Sequence, residues 1–303
     1  MNVFMRSKSA VRFAVMLCLF LLINQSLAWG PGGHMMVAQI AYERLNSHAK
    51  AEVDRLIKVV ITPDDVTRKS LDFVNASHWP DDLRSDKTGR FKDTFPLHFI
   101  DFPFSPDDTE LPDIDEANII SALKDEVDTL KSSDSSDKEK AQALRFLIHF
   151  VGDIHQPLHC ATRVTEQNPD GDRGGNLFMV HLSGKKKVKL HSYWDGGIGD
   201  FPKGGPPPEF APPSLDDVKE AAQSIAEEFP DTDTQWKAGG PFNFEGWSQE
   251  SFDLAKKVAY DSLLPNTRPT PAYIQKAKKT TRKRVAWGGY RLAELLNTIW
   301  PER

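Results

Sequence analysis

Apolar positions recur at three-to-four-residue spacing along most of this chain, a rhythm that predicts helices rather than strands. Residues 35–46 carry Met36, Val37, Ile40, Ala41 and Leu45 in that register, and residues 48–60 carry Val53, Leu56, Ile57 and Val60. Thr62-Pro63-Asp64-Asp65 reads as a helix start, with proline at the first helical position. Further amphipathic helices are expected over 115–131 and 137–155, parted by a polar turn, and over 216–229, 248–264 and 271–299. Strand signal is confined to 175–189, where Leu177 to Leu182 and Val188 to Leu190 flank Ser183-Gly184 and suggest a hairpin. Residues 206–213 read as a proline-rich surface loop. With no repeat or heptad, the expected architecture is mainly α, one helical domain over 29–303 with a small β-hairpin.

The first 28 residues break the pattern. Arg6, Lys8 and Arg12 precede an apolar run from Phe13 to Ile23, and Ser26-Leu27-Ala28 offers a small-residue cleavage site. The run is short for a membrane span, and no later segment approaches about twenty apolar residues. The expectation is a signal peptide over 1–28, cut after Ala28, and a secreted or periplasmic protein with no stable membrane association. Losing three basic residues takes the formal charge from −5 to −8, which excludes broad basic binding of nucleic acid. A phosphate substrate must then be attracted locally. Of the two cysteines only Cys160 survives cleavage, so no intramolecular disulfide forms and Cys160 is expected to be buried packing. Asn75-Ala76-Ser77 is a glycosylation acceptor in a eukaryotic source.

Chemistry concentrates in His149-Phe-Val-Gly-Asp-Ile-His-Gln-Pro-Leu-His159. On a helix, His149 and Asp153 lie one turn apart on one face, where an imidazole and a carboxylate can clasp a divalent ion. Pro157 ends that helix, so His159 points elsewhere. His191 and Asp195 repeat the spacing. With nine His and 28 Asp, chance alone supplies about one such pair, so partners are needed. They exist at helix edges: Trp29-Gly-Pro-Gly-Gly-His34, Trp79-Pro-Asp81-Asp82 followed by Arg84, and His98-Phe99-Ile100-Asp101. Cleavage after Ala28 gives Trp29 an α-amine able to ligate a metal.

Together these segments resemble the zinc-dependent single-strand nucleases of the S-one/P-one type, over nearly all of the mature chain and in the expected order. The resemblance implies a helical fold shared with zinc-dependent phospholipase C, and three Zn2+ in a cleft that cleaves RNA, single-stranded DNA and 3′-nucleotides. It assigns one zinc to Asp81, His98, His149 and Asp153. A second takes the Trp29 amine and carbonyl, His34 and the shared Asp153, and the third takes His159, His191 and Asp195. It further makes Asp81 the residue orienting the attacking water and Arg84 the cation facing the transition state. Phe99 becomes a base-stacking ring, Asp101 its neighbour at the base edge, and Asn176 a substrate contact. The enzyme is expected to act as a monomer.

Taken singly, each residue has an ordinary explanation. His98 and Phe99 fit core packing, Arg84 a surface cation, Asp101 a cap and Asn176 a turn. The joint pattern overrules this most firmly for the nine ligands. His155, four residues before His159 but across Pro157, is assigned a supporting role toward a ligand or the backbone. His48 and His181 have no partner at useful spacing, and Lys185-Lys186-Lys187 reads as a solvated turn. The rival is a zinc-dependent phospholipase C, which typically carries glutamate where this chain has Asp195. A catalytically silent metal-binding protein is a second alternative.

Overall fold

The computed structural model describes residues 29–65, 70–83, 89–182, 186–205 and 211–302. Helices dominate it. α1 (Pro31–Tyr42) and α2 (Ser47–Ile57) are followed by two single-turn helices, α3 (Phe73–Ala76) and α4 (Trp79–Asp82). α5 (Ile119–Lys131), α6 (Asp137–Ile154), the short α7 (Leu190–Asp195), α8 (Leu215–Glu228), α9 (Phe244–Leu254) and α10 (Pro271–Ile299) complete the set. α1 packs on α10 and α8, while α5 lies along α6. One hydrophobic cluster fills the space between these helices, and a second gathers Leu158, Phe178, Leu190, Trp194 and Tyr260 around α7. Among the described residues no helix is long and apolar enough to cross a membrane.

Capping explains most boundaries. Ser136 and Glu139 form a reciprocal capping box that starts α6, and Asn118 with Ser121 does the same for α5. Hence α5 begins later than the apolar pattern suggested. α10 runs over the expected span, started by the Thr270 hydroxyl and Pro271. α1 begins four residues before its expected start, because Pro31 suits a first helical position and Gly32-Gly33 are helical. A Cβ on Gly33 would stand 2.7 Å from the Trp29 Cβ, so the glycine admits the tryptophan. α9 starts at Phe244, capped by Asn243, and passes into a π-helical turn at Ala255–Ala259 rather than running as one helix to 264. Pro63 opens a 3-10 turn, Pro63–Asp65, where the described segment ends.

The expected hairpin is present as β3 (Met179–His181) paired antiparallel with β4 (Lys187–Lys189), which runs directly into α7. A second pair was not foreseen: β1 (Pro103–Phe104) lies parallel to β2 (Thr162–Arg163). Two-residue strands carry too little alternation to show in a sequence. This pair joins the chain after His98 to the chain after His159, and so ties two parts of the site together.

Candidate metal centre

Two imidazoles and a carboxylate converge where α6 crosses the floor of the site. His149 and Asp153 share a helix face, with His149 Nε2 3.1 Å from Asp153 Oδ2. His98, at the end of a 3-10 segment (Lys92–His98), brings its Nδ1 to 3.0 Å from the same oxygen and 3.0 Å from His149 Nε2. Asp81 Oδ1 stands 3.9 Å from both imidazoles. The other Asp153 oxygen, Oδ1, faces His34 Nε2 at 3.3 Å. The His34 ring stacks on His149 with centroids 4.0 Å apart. Asp153 thus turns one oxygen to each of two ligand groups, as a bridging carboxylate does.

A third group lies beyond the Pro157–Cys160 turn. His159 Nε2 and His191 Nε2 stand 3.1 Å apart, and Asp195 Oδ1 is 3.6 Å from His191 Nε2. All eight side chains are buried, none more than 7 % exposed. Three sets, His34–His149–Asp153, Asp81–His98–His149 and His159–His191–Asp195, each offer ligand atoms within 4.8 Å of one another.

Backbone carbonyls fix which ring nitrogen carries hydrogen. His149 Nδ1 donates to the Ser77 carbonyl at 2.8 Å, His159 Nδ1 to that of His98 at 2.7 Å, and His191 Nδ1 to that of Gly174 at 2.6 Å. Each Nε2 is therefore unprotonated and turned inward. Burial first, then nearby imidazoles, holds the His34 and His159 pKa values well below the ordinary histidine value. Such neutral rings are the form a metal requires. The chemistry of the donor set fits zinc: nitrogen and carboxylate oxygen, in groups of three or more.

Trp29 is fully buried. Its indole donates to the Gly152 carbonyl at 2.8 Å, one residue before Asp153, and the Gly30 amide donates to the Asp195 carbonyl at 3.0 Å. The segment that begins at Trp29 is thereby docked between α6 and α7. Trp79 directs α4 in a similar way, its indole donating to Asp65 Oδ1 at 2.9 Å. Burial works against the Asp65 charge, but hydrogen bonds from the Thr62 hydroxyl and from the Ile61 and Thr62 amides hold its carboxyl below the ordinary value. Asp81, rather than Asp82, enters the ligand group; Asp82 pairs with His78 Nδ1 at 3.0 Å.

Phe99 and Asp101 line one small pocket of about 120 Å³, together with Ile114 and Asn118. The Asp101 carboxyl is pushed up to about 7 by burial, then by Asp172 and Asp115, against the pull of Arg173. Asn176 is half-buried and spends its amide hydrogens on the Arg173 carbonyl at 2.8 Å. Arg84 lies outside the described residues. His155 is fully buried; its Nδ1 donates to the Val151 carbonyl and its Nε2 accepts from Arg291, so it braces the end of α6. Cys160 is buried against the Ile154 carbonyl, its thiol pushed up to about 12 by burial, and it joins none of the three groups. Asn75 is only 6 % exposed and its amide donates to Asp72, which leaves a glycan no open attachment point in the folded chain.

Sequence reasoning missed the carbonyl anchors, and with them Asp172. This buried carboxylate accepts from the Arg163 and Gly175 amides and from the Tyr260 hydroxyl, holding the Gly174-Gly175 turn that presents a carbonyl to His191. Both glycines have positive φ, at 61° and 79°, which the turn requires.

The family model described as S1/P1 Nuclease matches residues 29–301. The chain belongs to the S1/P1 nuclease family. Among proteins similar to it, Endonuclease 4 of Arabidopsis thaliana is 29 % identical over 96 % of this chain and 95 % of its own length. Nuclease P1 of Penicillium citrinum is 26 % identical over 89 % of this chain and 97 % of that protein. Nuclease S1 of Aspergillus oryzae is also 26 % identical, over 92 % of this chain and 94 % of that protein. The S1/P1 fold accounts for the mainly α architecture, and membership makes this protein a nuclease.

Proposed function

We propose that this S1/P1 family member is an exported trinuclear zinc phosphodiesterase. It hydrolyses single-stranded RNA and DNA to products bearing a 5′-phosphate, and releases inorganic phosphate from 3′-nucleotides. The observation that carries the metal reading is the meeting of His159 and His191. Both are fixed as Nδ1–H tautomers, so two unprotonated Nε2 atoms converge at 3.1 Å beside the Asp195 carboxylate, a donor set that suits a cation.

The residues divide the work as follows. Asp81, His98, His149 and Asp153 hold one zinc; the Trp29 amine and carbonyl, His34 and Asp153 hold its neighbour; His159, His191 and Asp195 hold the third. When bound, zinc lowers the pKa of water toward neutrality and stabilises charge on phosphate oxygens. Asp81 accepts a hydrogen bond from the attacking water and so aims it at phosphorus. Arg84 neutralises charge on the transition-state phosphorane. Phe99 stacks a base that a duplex cannot offer, Asp101 meets the base edge, and Asn176 contacts the strand. Local cations offset a net charge that is otherwise unfavourable for nucleic acid.

The family match starts at Trp29, which supports a mature domain of 29–303, processing after Ala28 and release to the periplasm or exterior as a monomer. The test is zinc content of the processed protein, together with product analysis on single-stranded RNA, DNA and a 3′-nucleotide. Fewer than three zinc ions per chain, or unchanged substrates, refute the reading. Phosphatidylcholine hydrolysis without RNA cleavage would favour the phospholipase C alternative instead.

A further inference from the structure

Gln156 has no side-chain exposure, yet both ends of its amide are engaged. Its Nε2 donates to Asp195 Oδ1 at 2.7 Å, across 39 residues of sequence. Its Oε1 accepts from the Leu158 amide at 2.6 Å, in the turn that delivers His159. Its own backbone amide donates to the Asp153 carbonyl at 2.9 Å. One side chain therefore connects the end of α6, the turn carrying His159 and the carboxylate at the end of α7. Asp195 is held at two points, its side chain by Gln156 and its carbonyl by the Gly30 amide.

We propose that Gln156 is a positioning residue: its amide aims the Asp195 carboxylate at the His159–His191 pair and so sets the affinity of the third metal site. The proposal rests on the trinuclear zinc reading above. A carboxylate alone at the end of a six-residue helix can rotate about its own bonds. With one oxygen pinned by a buried donor, its orientation toward the two imidazoles is fixed before any ion arrives. Hydrogen-bond partners of metal-binding side chains typically govern about 10- to 100-fold in metal affinity. A positively charged residue in place of Gln156 would compete with the ion; a neutral amide orients the carboxylate without cancelling its charge.

Two variants separate this role from simple turn support. Gln156→Glu keeps an acceptor for the Leu158 amide but has no donor for Asp195, while Gln156→Met fills the space with neither. Zinc retained per chain is measured against a competing chelator, with thermal unfolding of the metal-free proteins as a control on folding. The expected result is two ions held as in the wild type and the third weakened about 10- to 100-fold in both variants. In an Asp195→Ala background, Gln156→Met should weaken retention no further. A Gln156→Glu protein that holds the third ion at wild-type affinity or tighter overturns the proposal, and so does loss of all three ions together. A wild-type protein with fewer than three sites refutes the zinc reading itself, a separate failure.

Discussion

His159 and His191 present their Nε2 atoms to each other at 3.1 Å, while their Nδ1 hydrogens are tied to the carbonyls of His98 and Gly174. Removing the cation that this arrangement calls for leaves two lone pairs and a buried carboxylate in mutual repulsion. Chelation should therefore lower stability as well as activity. A site filled at about a thousand times its dissociation constant contributes about 4 kcal/mol, or roughly 8–16 °C in Tm for a chain of this size. Calorimetry with and without a strong chelator, followed by zinc add-back, measures it; an unchanged Tm would contradict the assignment.

Gly152 lies against the imidazole of His34. A Cβ there would fall 2.6 Å from His34 Nδ1, inside any real contact distance. Gly152→Ala should push His34 from its stack on His149 and weaken the ion shared with Asp153. Misplacement by about 1 Å costs on the order of 100-fold in rate. The expected outcome is that loss of kcat with the protein still folded, checked by steady-state kinetics and circular dichroism.

The metal-free protein should be most stable near pH 6.5. His34, His155 and His159 are buried neutral, with native pKa values well below the ordinary one, chiefly through burial. Below about 6.5 the unfolded chain takes up protons that the native chain refuses, so stability falls on acidification by up to about 1.4 kcal/mol per pH unit for each ring. Three carboxyls act in the opposite sense, among them Asp172, raised by burial. Asp101, raised to about 7, and Glu126, raised to about 8, hold protons that the unfolded chain has already released. Their stability is lost as pH rises through those values. Between about pH 5 and 6.5 the three rings outweigh Asp101 and Glu126, and above about 6.5 those two carboxyls act alone. Urea midpoints at about pH 5, 6.5 and 8 should trace this maximum; a steady rise with pH would refute it.

Phe99→Ala should raise KM for single-stranded substrate with a smaller change in kcat, since base stacking is worth about 1–3 kcal/mol. That is roughly 5- to 150-fold, measured against a duplex control, for which no change is expected.

Retention of Ala28 ahead of Trp29 should selectively loosen one ion. A peptide nitrogen cannot replace the α-amine, although the buried indole and its bond to Gly152 remain. Zinc per chain should drop toward two after dialysis; a full complement would contradict ligation by the terminus.

Much of this was legible in the sequence because helix period and proline or cap placement are local. α10 follows its expected span, and the one-turn spacings of His149–Asp153 and His191–Asp195 place each pair in a single ligand group. The choice of Asp81 over Asp82 came from the family pattern; in the structure Asp81 lies beside His98 and His149, while Asp82 pairs with His78. What stayed hidden depends on contacts distant in sequence. Nothing near His149 announces that the Ser77 carbonyl fixes its tautomer, and nothing near Asp195 points to Gln156. The start of α1 at Pro31, ahead of the apolar pattern, was hidden too, because the fit of Gly33 against Trp29 is set by the tertiary fold rather than by helix propensity.

The anchoring carbonyls carry a consequence for how the protein matures. Ser77 and His149 are 72 residues apart, His98 and His159 are 61, and Trp29 and Gly152 are 123. No short stretch of nascent chain owns a complete, correctly tautomerised cage, so the polypeptide has little to offer a passing ion until its helices have docked. Cation choice is then made by a finished mould rather than by loose histidines, which guards the chain against trapping the wrong metal while it folds.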